Sequence, residues 1–133
     1  MLDAAERHAR SIVATWNDGV YHGEAVLEPR HASWFTAAAE ALLRAQKVAR
    51  VAADPAKGAR AAAEPGGDTS VVYFRLHGSP RVYYSSYEED FLAVLAGRVS
   101  GYTNSWIIFD NTVLSHAFAN ALRLRELIGT AAY

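Results

Sequence analysis

The side-chain alternation over Val71–Ser86 (Val-Val-Tyr-Phe-Arg-Leu-His-Gly-Ser-Pro-Arg-Val-Tyr-Tyr-Ser-Ser) constrains this chain more than any other stretch. Successive strand residues point to opposite faces, so Val72, Phe74 and Leu76 share one face and Tyr73, Arg75 and His77 the other. Gly78-Ser79-Pro80 predicts a turn between two short strands, with His77 opposite Arg81, Leu76 beside Val82 and Phe74 beside Tyr84. The resulting hairpin has an apolar face of Val72, Phe74, Leu76, Val82 and Tyr84. Its other face, Tyr73, Arg75, His77, Arg81 and Tyr83, holds the densest group of Arg, Tyr and His in the chain.

A hairpin alone is marginal in water, so the flanking sequence must cover it. Leu2, Ala5, Ala9, Ile12, Val13 and Trp16 recur at helical spacing and predict a helix over Asp3–Trp16 that ends at Asn17-Asp18-Gly19. Val20–Leu27 reads as ambiguous, with a short edge strand over Glu24–Leu27 as one option, before Glu28-Pro29 breaks the chain. A second, long helix is expected over Ala32–Ala53, with Phe35, Ala38, Leu42, Ala45, Ala49 and Ala52 in step. Asp54-Pro55 stops it. The segment at about 54–69, with its Pro65-Gly66-Gly67-Asp68 turn cluster, reads as a mobile loop inside one domain spanning 1–133.

Beyond the hairpin, Ser86-Tyr87-Glu88-Glu89 has the form of a capping box for a short helix to about Leu95. Tyr102–Phe109, with its apolar Trp106-Ile107-Ile108-Phe109 run, predicts a strand covered on both faces. Val113–Ile128 predicts a closing helix capped by Asp110, Asn111 or Thr112, with Leu114, Ala117, Phe118, Ala121, Leu124 and Ile128 buried. Trp16, Trp34 and Trp106 fall on three elements and are expected to anchor one core. The expected class is α+β: two N-terminal helices, an antiparallel sheet of three or four strands around the hairpin, and a C-terminal helix packed on the sheet.

Several chemistries are excluded. With no cysteine there is no disulfide, thiolate zinc site, Fe–S cluster or Cys nucleophile. The five histidines form no His-x-x-x-His pair, and no phosphate loop, nucleophile elbow or dinucleotide fingerprint occurs, so neither metal nor cofactor is expected. A formal net charge of -1 argues against a dedicated nucleic-acid binder. Arg44, Lys47, Arg50, Lys57 and Arg60 form a local basic run that reads as a solvated face plus loop. No apolar run reaches membrane-spanning length and the polar stretch Met1–Arg7 has no signal-peptide core, so the expected location is cytoplasmic. Arg in place of Lys and abundant Ala suggest a GC-rich bacterial or phage source.

The candidate binding residues are Tyr73, Arg75, His77, Arg81 and Tyr83 on the hairpin, with His116, Asn120 and Arg123 in line on the last helix. Tyr and Arg are enriched at binding hot spots, which makes stoichiometric protein binding, of the inhibitor, immunity or anti-defence kind, the leading expectation. The second is a small anionic, nucleotide-like ligand held by Arg75 and Arg81. The third follows from a resemblance: a helix-first α+β chain with Arg, Tyr and His on a sheet face resembles the small metal-independent RNase toxins of bacteria. That resemblance implies His77 or His116 as proton shuttle, Arg75 or Arg81 on the phosphorane, and Tyr83 orienting the substrate. Those toxins are typically basic, whereas this chain is near neutral. An exposed sheet edge and Ala-rich helices also permit a homodimer.

Overall fold

The computed structural model describes residues 23–130, so the helix expected over Asp3–Trp16 lies outside the described residues. Strand β1 (Ala25–Leu27), an edge strand among the described residues, falls within the Glu24–Leu27 option for the ambiguous Val20–Leu27 stretch. A 3-10 turn at Ala32–Phe35 leads into helix α1 (Ala37–Ala45), capped by Thr36, whose hydroxyl accepts from the Ala39 N–H at 3.2 Å. Lys47 then takes a left-handed conformation (φ 55°) that turns the chain out of the helix.

The long helix expected through Ala53 therefore stops early. Strands β2 (Val48–Arg50) and β3 (Ala52–Asp54) take its second half. Alanine is a strong helix former in isolation, but Val48 through Ala53 are all buried, and a segment covered on both faces suits an inner parallel strand. Arg50 enters this run with its charge matched: Nε donates to Glu40 Oε2 at 3.2 Å and Nη1 to the Ala61 carbonyl at 2.8 Å. Glu40 Oε1 also accepts from the Gly67 N–H at 2.6 Å. The segment at 54–69 thus contains a 3-10 turn (Arg60–Ala63) and the two-residue strand β4 (Gly66–Gly67), antiparallel to β2.

The hairpin does not form. Strand β5 (Val72–Leu76) exists with the expected alternation, but Arg81–Ser86 make turns and not a return strand. β5 instead lies between β3 and β6 (Ser105–Phe109), parallel to both, with Phe74 opposite Ala52 and Ile107. β1 pairs parallel with β2, and the Val51 N–H between β2 and β3 donates to the Leu27 carbonyl at 2.9 Å. The described strands therefore form two three-stranded sheets, a mixed one in the order β1, β2, β4 and a parallel one in the order β3, β5, β6. This is an α/β arrangement and overturns the antiparallel α+β expectation. The apolar Val82 and Tyr84, which suggested a second strand, belong to the loop that carries the chain from β5 toward helix α2 (Glu89–Val99).

Three α-helices lie among the described residues: α1, α2 and α3 (His116–Thr130). Val72, Phe74 and Leu76 pack with Leu92, Leu95, Ala96 and Val99 of α2 and Leu124 of α3. Leu43 of α1 packs on Val48, with Ala25, Leu27 and Trp34 around them. The capping box over Ser86–Glu89 is not formed: Glu88 occupies the cap position without a side-chain bond, and Glu89 pairs with Arg123. The closing helix buries Leu124, but Leu114 and Phe118 are exposed. Trp106 is likewise exposed, so the two described tryptophans do not anchor one core.

Two glycines separate backbone need from tolerance. Gly67 is left-handed (φ 65°) and a Cβ there would overlap the Val48 carbonyl oxygen, whereas a Cβ on Gly97 in α2 meets nothing within 4 Å. Gly97→Ala is expected to stabilise the fold by about 0.5–1 kcal/mol in urea melts. Gly67→Ala is expected to destabilise it by at least about 1–2 kcal/mol.

Candidate functional site

In parallel β/α sheets, the residues just past the C-terminal strand ends face the same rim, where loops leave for the helices. Here those positions are Glu28 after β1, His77 after β5 and Asp110 after β6, with Asp54 closing β3. His77 is buried, and a buried imidazole needs partners for both nitrogens. Its Nε2 lies 2.8 Å from Glu28 Oε1 and its Nδ1 lies 3.1 Å from Asp110 Oδ2. Arg75, two residues back on β5, spans the same two carboxylates, with Nη1 donating to Glu28 Oε2 and Nη2 to Asp110 Oδ2, each at 2.9 Å. Arg30 Nη2 donates to Glu28 Oε1 at 3.0 Å.

Burial alone would raise the Glu28 pKa. The hydrogen bonds from His77 and Arg75, with the charges of His77 and Arg30, outweigh it and hold the carboxyl below its ordinary value of 4.5. Arg75 and Asp110 are the more open members, with side chains 38% and 27% exposed, while Glu28 and His77 are 13% and 5%. A ligand at the rim thus meets Arg75 and Asp110, and His77 lies behind them.

The loop after β5 is tied to this cluster. The Tyr83 N–H donates to the His77 carbonyl, and the Tyr83 ring stands edge-on to the imidazole at 6.0 Å between centroids. Tyr83 itself is left-handed (φ 69°). The Gly78 N–H donates to Tyr87 Oη at 2.8 Å, and Tyr87 Oη donates to Asp54 Oδ2 at 2.9 Å. Burial, with Asp54 beside it, pushes the Tyr87 phenol above its ordinary value against the lowering effect of the Gly78 N–H. Beside this loop lies a cleft of about 430 Å³ lined by Asp54, Ser79, Tyr84, Tyr87, Phe91 and His116, among others.

Of the residues singled out in the sequence, Arg75 and His77 come together, Tyr83 touches His77, and Tyr73 lies on the Arg75 face one alternation away. Arg81 does not join them; its guanidinium stacks on Tyr84, 3.7 Å from the ring centroid. His116 lines the neighbouring cleft. Asn120 is buried and structural: its Oδ1 accepts from the Tyr87 N–H at 3.1 Å and from Asn111 Nδ2 at 2.9 Å. Arg123 is on the surface, paired with Glu89 and Glu126. The basic run also dissolves, since Arg50 is buried in its ion pair.

Sequence reasoning missed Glu28, Arg30 and Asp110. Glu28 stood only as the residue before a breaking proline, and Asp110 as a helix cap. A β/α succession would have marked both, because each directly follows or closely follows a strand end. Among the described residues no group of three His, Cys, Asp or Glu side chains is arranged to hold a metal ion, and no helix is long and apolar enough to cross a membrane.

A parallel β/α fold with ionisable side chains gathered at the C-terminal strand ends defines the class of architecture. The chain belongs to the family described as "Protein of unknown function DUF72", whose model matches residues 4–132. It is similar in structure to a DUF72 family protein of Enterococcus faecalis (TM-score 0.77, 16% identity), covering 97% of this chain and 54% of that one. A DUF72 family protein of Thermotoga maritima is similar as well (TM-score 0.71, 21% identity, 92% of this chain and 51% of that one). The chain thus spans about half the length of these solved relatives. No curated protein matches it.

The lowered Glu28 value gives a pH prediction. A carboxylate whose folded-state pKa lies below its unfolded one stabilises the fold above the unfolded value, and that contribution is lost as pH falls through the folded value. Glu28→Gln is expected to destabilise the chain at neutral pH in urea melts, with the gap to wild type shrinking below pH 4.5. A gap that does not change with pH would contradict the assignment.

Proposed function

We propose that the chain carries an acid–base site for a small, uncharged polar molecule where the C-terminal ends of β1, β5 and β6 meet. One observation supports this above others: Glu28, Arg75, His77 and Asp110 converge there from three different strands. In this reading Asp110 is the carboxylate that exchanges a proton with the bound molecule. Its Oδ2 is held by Arg75 Nη2 and His77 Nδ1, and Oδ1 has no partner among the described residues. Arg75 and His77 are positioning residues that fix the carboxylate before the ligand arrives, and Glu28 fixes them in turn.

The ligand class follows from charge. Arg75 and Arg30 are spent on Glu28 and Asp110, so the cluster offers no spare positive charge to a phosphate, and an anionic, nucleotide-like ligand draws less support. Hydroxyl-rich molecules suit a carboxylate beside a guanidinium, with Tyr73 and the exposed Trp106 in register on the same face. Stoichiometric protein binding through the Tyr and Arg side chains also draws less support, because Arg75 is committed and His77 is buried. A cytoplasmic location belongs to the same proposal.

Turnover of a panel of neutral nitrophenyl glycosides and esters tests it. Asp110→Asn is expected to lower kcat by about 10²-fold or more at a temperature where circular dichroism shows it folded, while Lys57→Ala leaves kcat unaltered. No turnover across the panel, or equal kcat in Asp110→Asn, would contradict the reading.

A further inference from the structure

The cleft beside the loop after β5 is distinct from the rim cluster, since none of Glu28, Arg75, His77 or Asp110 lines it. Its volume, about 430 Å³, is that of a small-molecule site. Pro80, Tyr84 and Phe91 give it an apolar wall, and Phe91 is held by stacking on the buried Tyr87 ring at 4.5 Å between centroids. Its polar groups divide into spent and free. Ser85 Oγ accepts from the Arg81 N–H at 3.0 Å, and Ser86 Oγ accepts from Asn120 Nδ2 at 3.2 Å. Tyr87 Oη accepts from Gly78 and donates to Asp54 Oδ2. Asp54 Oδ1, the Glu88 carboxylate and the His116 ring nitrogens have no partner among the described residues.

We infer that this cleft binds a small organic ammonium ion, a protonated primary amine carried on a flat apolar group. Its chemistry selects that class in three ways. Two carboxylates without a counter-ion favour a cation and repel an anion. An ammonium has three N–H donors and no acceptor, and the free groups here are acceptors: two carboxylates, and an imidazole that accepts when neutral. The aromatic side chains bury the apolar part and offer ring faces that attract positive charge. The start of α2 would ordinarily favour an anion, but Glu88, Glu89 and Asp90 already answer its dipole. Arg81, the cation beside the loop, is stacked on Tyr84 and does not line the cleft. Asp54 is the fixed half of the site. Tyr87 holds its Oδ2, so Oδ1 is set before the ligand arrives. This site does not depend on the acid–base site proposed above.

Titration calorimetry with phenethylamine at neutral pH is the test, with phenethyl alcohol and phenylacetate as the neutral and anionic counterparts. The amine is expected to bind at least about tenfold more tightly than the alcohol, and phenylacetate not at all. Asp54→Asn, which keeps an acceptor for Tyr87 Oη, is expected to weaken the amine about tenfold or more with unchanged far-ultraviolet circular dichroism. Glu88→Gln, at an exposed position, is expected to weaken it by a smaller factor. Asp110→Asn is expected to leave the affinity unchanged; an amine lost there and kept in Asp54→Asn would place the cation at the rim and overturn the inference. No binding of the amine, equal binding of the alcohol, or full affinity in either the Asp54 or the Glu88 variant would overturn it as well.

Discussion

The hydrogen bonds from His77 to Glu28 and Asp110 are the constraint on which the rim depends. A buried imidazole without partners would cost on the order of 1–3 kcal/mol per unsatisfied group. Here each ring nitrogen finds a carboxylate on a different strand. Arg75 repeats the link in parallel, so the ends of β1, β5 and β6 are tied by two side chains from one strand. The His77 backbone extends the tie. Its N–H donates to the Asp54 carbonyl at 2.8 Å and its carbonyl accepts from Tyr83, which brings the end of β3 and the following loop into the same unit.

This arrangement makes the parallel strand pairs and the candidate site a single consequence of strand direction. Residues that follow a strand point to one rim only when the strands run the same way. An antiparallel hairpin would have sent Glu28, His77 and Asp110 to different ends. The side chains within the strands divide in the same manner: Phe74 and Leu76 hold the helices, and Arg75 between them reaches the carboxylates. One alternation thus serves both core and site.

That alternation was legible in the sequence, and it led to β5, to its two faces and to Arg75 and His77. Pairing was not. Val82 and Tyr84 continue the apolar pattern, and nothing local distinguishes a return strand from a loop whose tyrosines and backbone are held by His77, Tyr87 and Asp54. The run Val48–Ala53 was misread for a related reason: alanine favours helix locally, and only burial on both sides by distant segments makes a strand of it. Glu28 and Asp110 lie 49 and 33 residues from His77, so their role depends on a topology that a hairpin reading had already excluded. Phe118 and Leu114 show the limit of periodicity itself, which identifies an apolar helix face without saying what covers it.

A double-mutant cycle between Glu28 and His77, using Glu28→Gln, His77→Ala and the double variant in urea melts at neutral pH, tests this account most directly. Linked groups that share a buried, charge-assisted hydrogen bond are expected to couple by about 1.5–3 kcal/mol. Effects that simply add, to within about 0.5 kcal/mol, would contradict the claim that this contact organises the rim.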